Sequence, residues 1–274
     1  MNSSYLCQPD SVKSCGACCG LYNWNDHSRD TLEPLLHKKT DFFQSLVRSS
    51  NSFDRYREKI SELFFCSKLF ETIYNCEFLG FVDEKRKRIG CLLHPMVNRG
   101  EDLRDNSFYG RELCASHECP SYTYLTEAEK KAVIYGSDDW YVYGLVITDI
   151  DFVKEYFRIV NNALGETIDP ERIKRPELKG IISDYFRLKE EWEFKSEEKR
   201  FGKYFFSYAE YHIAKIEYEK KLGIRGSSFD KILVSLGSEF NSVDELHEAE
   251  AIIQSIIDRF IDAYTLSSPF LHFT

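Results

Sequence analysis

Apolar positions recur at helical spacing along much of the chain, and short alternating runs interrupt them once. From Asp30 to Val47, one face carries Leu32, Leu35, Leu36, Phe43 and Leu46. From Asp54 to Tyr74, the stripe is Tyr56, Ile60, Leu63, Phe64, Ser67, Phe70 and Tyr74. Ser49-Ser50-Asn51-Ser52 and then Asp54 supply N-cap candidates between these two predicted helices. The period then shortens. Cys76 to Val82 and Ile89 to His94 read as two strands around the charged turn Asp83 to Arg88. That pattern predicts a β-hairpin with Cys76 and Cys91 at its open end. The four basic residues at its tip read most simply as a solvated turn, with contact to a phosphate or an acidic partner as the sharper alternative.

Helical periodicity returns after Pro120. Thr126-Glu127-Ala128-Glu129 is a capping box opening a helix that Gly136 ends. Trp140 to Thr148 is an apolar run that fits a strand or a helix lead-in. Asp149 to Leu164 repeats through Phe152, Tyr156, Ile159, Val160 and Ala163, with Gly165 as its stop. Pro176 starts a helix through Ile181, Tyr185, Leu188 and Trp192, and a further helix is predicted from Tyr204 to Leu222. Val243 to Leu266, opened by Ser242-Val243-Asp244-Glu245, carries the stripe Leu246, Ala249, Ile253, Ile256, Phe260 and Ala263. Its three- and four-residue steps predict packing on a partner helix, in the same chain or in a homodimer. The fold class expected is mainly α. A small irregular α+β part, made of a cysteine loop and the short hairpin, precedes an all-helical part. Residues 1–121 form the first domain and 122–274 the second.

Charge and cysteine content change at that same junction. Residues 1–120 carry 16 basic and 17 acidic side chains, against 20 and 28 in 121–274. The net charge of −9 over 274 residues argues against a general nucleic-acid binder. No apolar run approaches the length of a membrane helix, and the N-terminus lacks the basic and apolar regions of a signal peptide, so the chain reads as cytoplasmic. All nine cysteines lie at or before Cys119. In a reducing compartment, such a concentration points to metal ligands or redox groups rather than disulfides. Cys66, inside a helical stripe, reads instead as a core thiol.

The central motif is Cys15-Gly16-Ala17-Cys18-Cys19-Gly20. A two-residue gap lets two thiolates converge on one ion, and glycines allow the tight backbone this needs. Cys18 and Cys19 are adjacent, so their side chains diverge. That suits two neighbouring metals, or one ligand and one supporting thiol. With Cys7 the local loop offers four thiols, and Cys76, Cys91, Cys114 and Cys119 offer four more. Eight thiolates fill two four-coordinate sites, or one cluster and one mononuclear ion. Zinc and a [4Fe-4S] cluster both accept such ligands.

These motifs resemble the YkgJ-like cysteine-cluster family, described as a zinc- or iron-chelating domain. The family's CxxCxxCC block is matched by Cys15-Gly16-Ala17-Cys18-Cys19, its next segment by Cys76-Glu77-Phe78-Leu79 and its third by Cys91-Leu92-Leu93-His94-Pro95. Its last cysteine pair is matched by Cys114 and Cys119-Pro120. Val12 stands where the first block cysteine would fall, with Cys7 as the upstream replacement, and Arg99-Gly100 is the nearest counterpart of the family's Arg-Pro step. The resemblance implies Cys7, Cys15, Cys18, Cys19, Cys76, Cys91, Cys114 and Cys119 as metal ligands. One branch includes flagellin lysine N-methylase, associated with an iron–sulfur cluster, so the resemblance permits a protein substrate.

Other candidates have plainer readings. His94 and His117 are more often supporting or surface histidines than ligands. Asp138-Asp139 and Asp149 with Asp151 flank helix starts, where capping explains them. Tyr204, Tyr208, Tyr211 and Tyr218 read as helix packing. Gly136, Gly144 and Gly165 are isolated and read as stops or turns, not as a nucleotide or S-adenosylmethionine loop. Three functions remain: a cluster-dependent redox or protein-modifying enzyme, a structural zinc module carrying a helical domain for a protein partner, and a metal chelator or sensor.

Overall fold

The computed structural model describes residues 5–63, 67–197, 203–206, 209–212 and 215–266, the two four-residue strands by their backbone. The chain is mainly helical, with two small antiparallel strand pairs. It forms two compact units, one of Tyr5–Cys119 with Asp139–Gly144, the other of Pro120–Asp138 with the chain from Leu145 onward.

In the first unit, helix α1 (Arg29–Phe42) runs directly into a π-helical turn, Phe43–Arg48. Leu32, Leu36, Lys39, Thr40, Phe43 and Val47 form its buried face. Helix α2 (Phe53–Glu62) is shorter than its sequence stripe suggests. It ends at Leu63, and Ser67 to Tyr74 is not helical: Lys68 bridges to Trp24, and Phe70 donates its N–H to the Asn23 side chain. The apolar residues of that stretch follow helical spacing, but side-chain bonds from Asn23 capture their backbone instead. Cys66 lies outside the described residues.

Strands β1 (Leu79–Phe81) and β2 (Ile89–Cys91) pair antiparallel, Leu79 opposite Cys91. The turn between them is held by Asp83, which accepts the N–H groups of Lys87 and Arg88. Arg86 is not merely solvated; it pairs with Asp41 and meets His37. Thr40 of α1 accepts the Phe81 N–H at 2.8 Å and so ties β1 to the helix. The apolar core here is Phe43, Val47, Tyr56, Ile60, Phe78, Leu92 and Leu93 together with the buried Cys76. Helices α3 (Gly110–Ser116) and α4 (Ser121–Tyr124) follow, one on each side of the break between units.

Helix α5 (Glu127–Gly136) starts with the complete capping box Thr126–Glu129. Gly136 does not act as its stop. It is the last helical residue, and a Cβ there would lie 2.7 Å from Ile182 and 2.8 Å from Phe186. The apolar run is helix α6 (Trp140–Ile147), with Gly144 inside it, where the Tyr22 hydroxyl leaves no room for a side chain. Both glycines permit close packing rather than a turn. Asp139 and Asp149 do cap: Asp139 accepts the N–H groups of Tyr141 and Val142, and Asp149 that of Phe152.

In the second unit, α7 (Ile150–Leu164) ends at Gly165 in a left-handed conformation, and α8 (Pro176–Glu191) has its proline in the first turn. The helix predicted from Tyr204 to Leu222 is not found. Instead β3 (Lys203–Phe206) pairs with β4 (Ala209–His212), and among the described residues of the stretch only α9 (Tyr218–Leu222) is helical. The segment is dense in tyrosine and phenylalanine, which favour a pleated strand as readily as a helix. Helices α10 (Asp230–Ser235) and α11 (Val243–Leu266) complete the unit. The α11 stripe is buried, packed on α8 and α7 of the same chain. A homodimer therefore needs some other surface. Among the described residues, no helix is long and apolar enough to cross a membrane.

Candidate functional site

The cysteine loop is fixed by the hairpin beside it. Ser14 accepts the Ile89 N–H at 2.7 Å, and Gln8 donates to the Ile89 carbonyl at 2.8 Å. A Cβ on Gly16 would sit 2.9 Å from the Ile89 side chain, so glycine lets the loop lie on the strands. Within the loop the Cys15 N–H donates to the Cys7 carbonyl at 2.9 Å. A single 3-10 turn, Ala17–Cys19, ends at Gly20, whose φ of 77° falls in the left-handed region that glycine tolerates. From there Asn23 and Asn75 act as a clasp. Asn23 donates to the Phe70 and Ile73 carbonyls and to Asn75, and Asn75 donates to the Gly20 carbonyl. The clasp brings Cys76 to Cys19, and the Cys76 N–H donates to the Cys19 carbonyl at 2.9 Å.

The eight cysteines sort into two groups by the charges they feel. Cys15 and Cys18 both interact with Cys119 and Cys7, and the Cys18–Cys119 hydrogen bond is the largest influence on Cys18. Cys19 interacts first with Cys76, then with Cys91 and Cys114, and more weakly with Cys7. Cys91 in turn feels Cys114. Cys76 lies in the apolar cluster of this unit, and Cys19 and Cys91 pack against it. All eight are free thiols. Cys7, Cys15, Cys18 and Cys119 are called the first quartet and Cys19, Cys76, Cys91 and Cys114 the second, although Cys7 bears on members of both.

Burial pushes the Cys76 thiol up to about 12 and the Cys91 thiol up to about 11, and raises Cys15 and Cys19 well above the usual thiol range. One local feature opposes burial in both quartets. Backbone N–H groups two residues downstream point at the sulfurs, Ala17 at Cys15, Phe78 at Cys76 and Leu93 at Cys91, and each favours the thiolate. The Ala17 N–H lies 3.5 Å from the Cys15 Sγ.

Two cations stand beside the second quartet. Lys39 is 3% exposed and its Nζ donates to the Cys76 carbonyl at 3.0 Å. Burial lowers it to about 8, against the opposing pull of Cys76, Glu77 and Cys19. Arg104 feels Cys91 and Cys114 and grips Asp102 through two bonds of 2.9 and 2.7 Å, which hold the Asp102 carboxyl down at about 2. Sequence reasoning missed both. Lys39 had a readable signal, since it falls on the apolar face of α1 three residues after Leu36. His94 accepts the Met96 N–H at the head of a 3-10 turn, and its pKa is lowered by burial and then by Arg104. His117 is exposed beyond the end of α3. Val12 is exposed and its N–H is bound by Asp10, whereas Cys7 bears on Cys15, Cys18 and, more weakly, Cys19.

Among the described residues, no three His, Cys, Asp or Glu side chains converge as a group that would hold a metal ion. The chemistry of the thiols nonetheless fits a soft metal: all-sulfur donors, no disulfide among them, and N–H groups aimed at three of the sulfurs. Ligation would replace the thiol protons and draw each quartet together, a coupling of binding to local folding. No family model matches the chain, and no curated protein and no solved structure shows significant similarity to it.

Proposed function

We propose that this chain is a cysteine-cluster metal protein whose two thiol quartets hold zinc or a [4Fe-4S] cluster. What supports the reading is eight free thiols, spread from Cys7 to Cys119 in sequence, within one unit, with Cys15 and Cys18 influenced by Cys7 and Cys119 and Cys19 influenced by Cys76, Cys91 and Cys114. Four thiolates are the usual complement of a structural zinc ion and of either common iron–sulfur cluster. The resemblance to YkgJ-like proteins supports the same reading, and its lysine N-methylase branch keeps a protein substrate in view. A bound cluster would supply electron transfer; zinc would supply a fixed cross-link. The chain's own part is to present the thiols, aim N–H groups at them and exclude water.

A structural zinc module is the second reading. It is favoured by the first quartet, where Cys119 is buried and Cys18 is bonded to it. A metal chelator or sensor is the third, favoured by the exposure of Cys114. Metal and acid-labile sulfide content of the full chain, purified without oxygen, separates these readings. Iron with matching sulfide and broad visible absorption supports the cluster-dependent enzyme. Zinc without sulfide supports the module or the chelator. A chain with neither metal, and unable to take up zinc, refutes all three.

A further inference from the structure

The turn between β1 and β2 is held in two ways. Within itself, the Asp83 side chain accepts the N–H groups of Lys87 and Arg88, and the Arg86 N–H donates to the Asp83 carbonyl at 3.1 Å. Across to α1, the Arg86 guanidinium pairs with Asp41 and lies 2.6 Å from the His37 Nδ1. Arg86 has a φ of 53°, in the left-handed region that strains a residue with a side chain and that turns usually fill with glycine or asparagine. An arginine stands there against the local preference, and its reach to α1 is the compensating contact. A guanidinium has donors only. The His37 Nδ1 is therefore an acceptor, and the imidazole is neutral with its proton on Nε2. Phe81 of β1 fixes the ring, with the centroids 4.7 Å apart. On α1, Glu33 and Asp41 lie one turn from His37 on either side, with Lys38 next to it; the turn adds Asp83, Glu84, Lys85 and Lys87 to Arg86, and β1 adds no charge. The π-helical turn and α2, also packed on α1, bury Phe43, Val47, Tyr56 and Ile60, none of them charged. Carboxylates, ammonium groups and guanidinium groups ordinarily keep their charge between about pH 5.5 and 7.5, whereas imidazole ordinarily titrates there.

We infer that His37, Arg86 and Asp41 form a pH-sensitive latch on the hairpin turn, closed while His37 is neutral and released when it takes a proton. The step is the transfer of one proton from solvent to the Nδ1. It removes the acceptor and sets a second positive charge against the guanidinium. It also lets Asp41, one helical turn from His37, pair with the new imidazolium instead of with Arg86. The turn then keeps only its internal bonds to Asp83, with a left-handed arginine still to hold. Thr40 continues to accept the Phe81 N–H, so β1 stays on α1 and the movement is confined to the tip. Release frees the Arg86 side chain beside the exposed Lys85 and Lys87, so the tip becomes more cationic in acid. The latch stands on the hairpin and α1 alone and does not depend on metal binding.

The test is amide hydrogen exchange of the full chain, read by NMR across about pH 5.5 to 7.5, with each rate divided by the intrinsic rate at that pH. In the wild type, protection of the Lys87 and Arg88 amides should fall about tenfold from the upper to the lower end, the ratio that ~1.4 kcal/mol produces. The midpoint of that fall should coincide with the titration of the His37 ring resonances, and protection of the Phe81 amide should not change. His37→Asn keeps an acceptor where the Nδ1 lies but does not titrate, so it should hold the turn at its neutral-pH protection throughout. Arg86→Gly relieves the left-handed backbone and removes the guanidinium, so its profile should also be flat. The wild type decides the matter even where a variant fails to fold. Turn protection that does not vary with pH, a midpoint apart from that of the His37 ring, or the same fall in folded His37→Asn overturns the latch. A parallel fall at Phe81 overturns it as well, because the whole hairpin would then be opening.

Discussion

Lys39 carries a charge in a place where charge is expensive. It is buried on the core face of α1, and burial lowers its pKa from 10.5 to about 8. At about 1.4 kcal/mol per pH unit, holding it protonated at neutral pH costs the metal-free fold about 3 kcal/mol. The hydrogen bond from its Nζ to the Cys76 carbonyl returns about 1.5–3 kcal/mol, the usual range for a charged donor. The two nearly cancel, so Lys39→Met in the metal-free chain is expected to leave stability within about 1–2 kcal/mol of wild type. Metal loading changes the balance. Cys19 and Cys76 would become thiolates, and both already act to raise Lys39. If ligation restores its ordinary value, the coupling is about 3 kcal/mol, so Lys39→Met lowers zinc affinity by about a hundredfold. Lys39→Arg keeps the charge and should recover much of this. The assay is zinc competition against a chelator of known affinity at pH 7, beside urea unfolding of the metal-free variants. Zinc binding by Lys39→Met within about threefold of wild type, a difference under ~0.7 kcal/mol, would show that the lysine does not sense the thiolates.

Three further outcomes are expected. Gly20→Ala forces a left-handed residue and drives its Cβ into the Tyr74 carbonyl, so urea unfolding should report a loss of about 2 kcal/mol or more; a loss under ~0.5 kcal/mol would remove the close approach from the account. The metal-free chain should lose stability in alkali: Cys76 and Cys91 hold their protons up to about 12 and 11 against an ordinary 9.0, so that contribution is whole below pH 9 and drains as pH rises through 11 and 12. Zinc loading replaces those protons, so the unfolding midpoint of the loaded chain should be flatter over the same window, and Cys76→Ser should reduce the slope in the metal-free chain. In the second unit, Asp149→Ala strips the 2.7 Å partner from buried Lys189 and should cost about 3–5 kcal/mol by thermal unfolding, with a near-neutral result sinking the buried-pair argument.

Much of the helical half was legible because its signals are local. Thr126 with Glu129, Asp149 before α7, Pro176 at the first turn of α8 and the α11 stripe each state an element in a few residues. In the first of the failures a distant neighbour outweighs a local preference. Asn23 takes the backbone of Phe70 and Ile73 out of the helix that the stripe Ile60, Leu63, Ser67 and Phe70 describes. Gly136 and Gly144 look like punctuation in sequence, but Phe186 and Tyr22 are the reasons for them. The Tyr204–Leu222 stretch was periodic enough for a helix and aromatic enough for strands, and spacing alone could not arbitrate. The candidate cysteines could be counted in the sequence; their surroundings could not. Lys39 and Arg104 become neighbours of the thiols only through the fold.

The different surroundings of Cys18 and Cys19 follow from their adjacency in one turn. Three residues per turn set successive side chains about 120° apart, so Cys18 and Cys19 look toward different partners. The 3-10 turn over Ala17–Cys19 and the left-handed Gly20 that ends it set those directions. Cys18 is influenced by Cys119, Cys15 and Cys7, while Cys19 is influenced first by Cys76, then by Cys91 and Cys114, and last by Cys7. Under the proposed metal-binding reading, one peptide bond would separate a ligand of each quartet. Closing the first quartet on a metal would then fix the backbone from which Cys19 projects, and leave the second less conformational entropy to lose on closing. The link is reciprocal, so metal in the second quartet equally stiffens the first. A motif with a spacer between those two cysteines would bind as many ions without that coupling. Under the proposed metal-binding reading, the unbroken Cys18-Cys19 step couples the two sets of thiols, and a zinc titration that fits two independent sites would refute that coupling.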